Sequence, residues 1–117
     1  MTPCFCLISL SSVTLRGKKL GLLLSIPPDH PGFIHGVRLA ETALAQGVDV
    51  YVYCIDDAVS GVGDPRLQAL KQSGLKLFAC AYGAQRRNVA MSDKAAFAGL
   101  TVVSDLIAGT DCFVSFN

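Results

Sequence analysis

The hydrophobic positions of this chain fall into short continuous runs and longer stripes at helical spacing, which alternate from the N-terminal side onward. After Lys18 and Lys19, Leu20-Gly21-Leu22-Leu23-Leu24-Ser25 is apolar throughout, the pattern of a strand covered on both faces. Pro27, Pro28 and Pro31 then interrupt the chain. Phe33, Val37, Ala40 and Leu44 follow at helical spacing, with Arg38, Glu41 and Gln46 off the stripe. Pro31 suits the first helical turn, Asp29 or His30 its cap, and Gly47 the left-handed residue that ends it. Val48 to Ile55, rich in β-branched and aromatic residues, predicts a second strand. Asp56 and Asp57 open what reads as a flexible loop through Ser60, Gly61 and Gly63. Asp64 and Pro65 then start a second helix, with Leu67 and Leu70 inward and Gly74 closing it.

Leu75, Leu77, Phe78 and Ala79 predict a third buried strand, and Ala81 to Arg87 a helix with no β-branched residue. Beyond Asn88, Ser92 or Asp93 suits the cap of a helical turn running to Phe97. Leu100, Val103 and Ile107 form a further helical stripe ended by Gly109, and Cys112 to Phe116 is the last strand. Strands alternating with helices imply parallel pairing, right-handed crossovers and helices on both faces. The expected fold is a three-layer α/β/α sandwich with a mainly parallel sheet of about five strands, flavodoxin-like in outline. Four strands can be placed; the fifth is expected near Val89 or in the N-terminal extension.

Composition adds to this picture. At 117 residues the chain suits one domain, divided into an extension over residues 1–17 and a folded unit over 18–117. It is 51% hydrophobic but only 16% charged, against roughly a quarter in an average domain, which implies apolar surface buried in an oligomer. The net charge of +1 gives no nucleic-acid footprint. No run is long enough to span a membrane, and the N-terminal stretch lacks the positive charge and small-residue cleavage site of a signal peptide. A cytoplasmic location follows by default. Five cysteines without disulfide-framework spacing read as thiols. Cys4 and Cys6 are too close together for a usual disulfide and have no further ligands to make a metal site.

The chemistry concentrates at Cys80, where a strand hands over to a helix. Unpaired backbone N–H groups and the positive end of the helix dipole favour the thiolate, the nucleophilic form, whereas burial alone favours the neutral thiol. A structural core cysteine is the competing interpretation. Cys80, five intervening residues and Arg86-Arg87 resemble the Cys-x5-Arg-Arg signature of the DsrE/DsrF-like (TusD/DsrE) sulfur-relay family, over about Lys18 to Phe116. The resemblance implies a persulfide carried on Cys80, thus a sulfurtransferase-like carrier without a cofactor. It also implies sulfur-donor and sulfur-acceptor proteins as partners, and a homo- or hetero-oligomer, a trimer or hexamer. Some members lack the cysteine and serve as assembly subunits, so that role is the alternative, along with a small-ligand-binding flavodoxin-like domain. The signature continues with glycine where this chain has Asn88, the next-best left-handed residue.

At a rise of about 1.5 Å per residue, Arg86 and Arg87 lie roughly 9–10 Å along the axis from Cys80. This argues for docking an acidic partner surface, beside the plain role of complementing the helix dipole. His30 could act as a base, but a loop or cap histidine is the better account. His35 reads as helix surface. Cys54 could resolve a disulfide with Cys80, though packing in its strand explains it as well. Cys112 is expected far from Cys80. Asp56 and Asp57 lack a third metal ligand, and Asp57-Ala58-Val59 matches a loop-shaping family pattern. Gly61 and Gly63 lack the strand–turn–helix setting of a dinucleotide site.

Overall fold

The computed structural model describes residues 16–90 and 92–117. The central strand, β1 (Lys19–Leu24), alternates its side chains across the sheet. Leu20, Leu22 and Leu24 enter one core, while Leu23 joins a second on the other face. Four more strands, β2 (Asp49–Cys54), β3 (Lys76–Cys80), β4 (Ala96–Ala98) and β5 (Cys112–Phe116), complete a sheet in the order β4-β3-β2-β1-β5. Every pairing is parallel. Parallel pairing with covered faces explains why β1 reads as an unbroken apolar run.

Helices α1 (Pro31–Ala45) and α2 (Pro65–Gln72) pack on one face, through Phe33, Val37, Ala40 and Ala43 from α1 and Leu67 from α2. Helices α3 (Ala81–Arg86) and α4 (Thr101–Gly109) cover the other, through Ala84 and Leu106. The result is the expected three-layer α/β/α sandwich. Gly36 lets α1 sit close to β1: a Cβ there would stand 2.6 Å from Leu24 Cδ2. Gly47, at a φ of 83°, and Asn88, at 55°, supply the left-handed residues after α1 and α3.

Most expected caps are present. His30 caps α1, its Nδ1 accepting from the Gly32 N–H at 2.9 Å. Asp64 caps α2, accepting from the Arg66 N–H at 2.9 Å and from the Arg66 guanidinium at 3.0 and 2.9 Å. That guanidinium, followed by the backbone donors, holds the Asp64 carboxyl below its ordinary range against the opposing effect of partial burial. A depressed carboxyl stabilises the fold above its unfolded value, about 3.9, and loses that contribution as pH falls through its lower folded value. Asp64→Ala should therefore cost about 0.5–2 kcal/mol at neutral pH. The difference should shrink under strong acid as the charge-dependent part of the cap is lost, as measured by urea unfolding across pH.

Four sequence expectations are corrected. The fifth strand is Ala96–Ala98, not a piece near Val89, and no helical turn runs to Phe97. Ser92 Oγ accepts from the Lys94 N–H in a tight turn, and pairing with β3 draws the next residues into the sheet. The segment after β2 is an ordered 3-10 helix, Asp56–Gly61, that buries Ala58 and Val59. Helix α4 forms, but Leu106 is its buried residue, while Leu100 and Ile107 are exposed. Leu100 is the residue preceding the helix, so the stripe drawn through it is out of phase. The extension lies outside the described residues except for Arg16 and Gly17; the Gly17 N–H donates to the Gly47 carbonyl at 3.0 Å. The proposed boundary at Lys18 remains our reading.

Candidate functional site

Cys80 ends β3 and caps α3. Its backbone is extended, and its Sγ accepts a hydrogen bond from the Gly83 N–H at 3.3 Å, within the distance typical for sulfur. Gly83 fits because it has no side chain: a Cβ there would stand 3.2 Å from Val59 Cγ2 and 3.7 Å from Cys80 Sγ. Val59, held inward by the 3-10 helix, thus presses α3 against the cysteine. Asp57, Ala58 and Val59 all lie in this 3-10 helix, with Ala58 and Val59 buried.

Cys80 is only 4% exposed and lies in the wall of a cleft of about 690 Å³. Ile55 and Asp56 line it from the end of β2, Tyr82, Arg86 and Arg87 from α3, and Leu100 from the turn after β4. The site therefore sits at the carboxyl ends of three adjacent strands, as expected for a parallel sheet. It lies away from the point between β1 and β5 where the strand order reverses.

The structure places Arg86 and Arg87 in the same cleft as Cys80, which axial separation alone did not indicate. Arg86 Nη1 donates to Tyr82 Oη at 3.1 Å, and its guanidinium lies 5.7 Å from the centre of that ring. Arg87 pairs with Asp57 Oδ1, at 3.2 Å from Nη2 and 3.4 Å from Nε. This exposed pair contributes little stability, but it ties the end of α3 to the 3-10 helix. Asp56 adopts a φ of 54°, the left-handed region that a non-glycine residue enters at some cost.

Sequence reasoning missed two site residues. Tyr53, fully buried on β2, packs in the same core as Cys80 and donates its hydroxyl to the Ala98 carbonyl at 3.0 Å. A tyrosine within Val-Tyr-Val-Tyr-Cys has a hydroxyl that needs a partner once buried, and that was the available signal. Leu100 was assigned to the core, yet it is 57% exposed, and Tyr82 beside it is 65% exposed. Only the true start of α4 reveals this.

The other candidates separate cleanly. Among the described residues Cys54 and Cys80 are free thiols, but Cys112 is disulfide-bonded, which corrects the reading of all five cysteines as thiols. Cys54 belongs to the core on the opposite face, where burial pushes its thiol up to about 12. It packs among the residues of that core, and the sheet separates it from Cys80. His30 is a helix cap and lies outside the cleft lining, while His35 is exposed on α1. Among the described residues, no group of three or more His, Cys, Asp or Glu could hold a metal ion. No described helix is long and apolar enough to cross a membrane.

Comparison with known proteins agrees with this geometry. The model of the DsrE/DsrF-like family matches residues 18–116. The chain is also similar to the crystal structure of the ychN protein from E. coli, with a TM-score of 0.74 and 16% sequence identity, over 85% of this chain and 98% of that one. At that identity the likeness concerns the fold. The comparison with curated proteins gave no match.

Proposed function

Because the chain belongs to the DsrE/DsrF-like family, associated with sulfur relay, we propose that it is a sulfur carrier, with Cys80 holding sulfane sulfur as a persulfide. The observation that carries this reading is the setting of Cys80: a free thiol capping α3, bonded by the Gly83 N–H, in a cleft it shares with two arginines. The Cys80 thiolate attacks the outer sulfur of a donor persulfide. A Cys80–sulfur bond forms as the donor's sulfur–sulfur bond breaks. The electron pair leaves on the donor thiolate, which takes up the proton that Cys80 gave up. Nothing is oxidised or reduced overall, and no cofactor is required.

Arg86 and Arg87 rim the cleft in this reading and receive the acidic surface of a donor or acceptor protein. The test is to incubate the native protein with a low-molecular-weight persulfide and determine its intact mass. A gain of one sulfur atom is expected, and an unchanged mass would overturn the carrier reading.

The exposed Tyr82, Leu100 and Ile107 support a further part of the proposal, assembly of the chain into a homo- or hetero-oligomer. Light scattering of the purified chain should give a multiple of 12.3 kDa. A clean monomer mass at micromolar concentration would overturn the reading that the chain assembles with itself. If the protein assembles but takes up no sulfur, the assembly-subunit reading replaces the carrier.

A further inference from the structure

Resting on the sulfur-carrier reading, we propose that Tyr53 is a positioning residue for the Cys80 sulfur, its hydroxyl turning from the Ala98 carbonyl to the sulfur when that atom becomes an anion. Three observations place the groups together. Tyr53 pairs with Phe78 in the β2–β3 register, and Cys80 is two residues further along β3, so both side chains share a face. Ala98, which accepts the Tyr53 hydroxyl at 3.0 Å, is the register partner of Cys80 on β4. Tyr53 is also fully buried, so water does not compete for its hydroxyl.

Burial, with Cys80 as the next contribution, keeps the Tyr53 hydroxyl protonated far beyond its ordinary range. It is therefore a permanent donor that can also accept. With Cys80 neutral, the phenol proton serves Ala98, the residue paired with Cys80 on β4, and both side chains pack in the same core. Once Cys80 is a thiolate or a persulfide anion, the S–H proton is gone and the phenol proton rotates to the sulfur. In the thiolate, Gly83 N–H and Tyr53 O–H then converge on one charge from α3 and β2, whereas in the persulfide the charge lies on the outer sulfur and the phenol proton turns to that atom. The other charged or titratable side chains lining the cleft, Asp56, Tyr82, Arg86 and Arg87, are exposed to solvent. Among the described residues, no other phenol and no charged side chain belongs to the buried part of this core.

The experiment compares the unmodified protein with Tyr53→Phe, which keeps the ring, and with Tyr51→Phe as a control on the same strand. A charge-assisted hydrogen bond, partly offset by the return of the Ala98 bond, corresponds to a roughly three- to tenfold effect. Loading from a low-molecular-weight persulfide should therefore fall about three- to tenfold in Tyr53→Phe. Conversion by methyl methanethiosulfonate to the neutral methyl disulfide should reach the same end-point in all three proteins. A merely structural role would impair both. In the unmodified protein, persulfide formation should also produce a tyrosine ultraviolet difference spectrum that the methyl disulfide lacks. This readout holds even if Tyr53→Phe fails to fold.

If the unmodified protein takes up no sulfur, the carrier reading fails on its own. The Tyr53 contact is then judged by native iodoacetamide labelling of Cys80, which should be slower in Tyr53→Phe and unchanged in Tyr51→Phe. Equal loading and equal labelling in Tyr53→Phe, or no difference spectrum on loading, would overturn the proposal.

Discussion

Cys80→Ser should abolish sulfur uptake, whereas Cys54→Ser should leave it intact. The contrast is sharp because the two cysteines lie on opposite faces of the sheet: Cys80 in the wall of an open cleft, Cys54 in the core beneath α1 and α2. A hydroxyl neither forms a persulfide nor ionises near neutral pH, so the expected result is complete loss of the added sulfur in the intact-mass spectrum. Replacing Arg86 and Arg87 with alanine in the Cys80 protein tests their proposed role separately. Loading from a small persulfide should persist, while transfer from a protein donor weakens. Sulfur uptake that survives Cys80→Ser would return Cys80 to a packing role.

The largest stability effect is expected at Phe33, where alanine should cost about 3–5 kcal/mol. Phe33 is fully buried on the inner face of α1, and its ring reaches the 3-10 helix after β2. A Cβ at Gly61 would stand 3.0 Å from the ring tip and 2.9 Å from Pro28 Cγ. Truncating the ring opens a cavity where α1, the Pro28 loop and the 3-10 helix meet, and well-packed backbone cannot collapse to fill it. Against a typical total stability of about 5–15 kcal/mol, the loss is a large share. Guanidinium unfolding followed by circular dichroism measures it directly. A loss below about 1 kcal/mol would show that the neighbouring segments close the gap.

The frame of this fold was legible because punctuation and period agreed. Pro31, Asp64 and Pro65 mark helix starts, Gly47 and Gly74 mark ends, and β1 is apolar on both faces. The chain was misread where length or phase left little pattern. Ala96–Ala98 has three residues, too few to show alternation, and its identity as a strand comes from its pairing with β3. Asp56 to Gly63 carries the residues of a loose loop, yet Ala58 and Val59 anchor it in the core through contacts distant in sequence.

Around the candidate site, Cys80 and the arginine pair could be read from one short stretch of sequence. Their shared cleft could not. It depends on Ile55, Asp56 and Leu100, which other strands deliver. Tyr53 lay hidden for the same reason, since its hydroxyl's partner Ala98 comes from β4 and its core neighbour Cys80 from β3.

The position of β1 has a consequence for how the protein is made. Its flanking partners are β2 and β5, and the Lys19 N–H reaches the Asp111 carboxylate across 92 residues of sequence. A ribosome adding about 5–20 residues per second leaves one edge of this apolar strand unpaired until nearly all the described chain has emerged. The nascent chain therefore passes several seconds with Leu20, Leu22 and Leu24 in a sheet that cannot yet close, when chaperones or neighbouring nascent chains can compete for that edge. Deleting β5 should accordingly reduce soluble yield far more than five residues of lost packing would suggest.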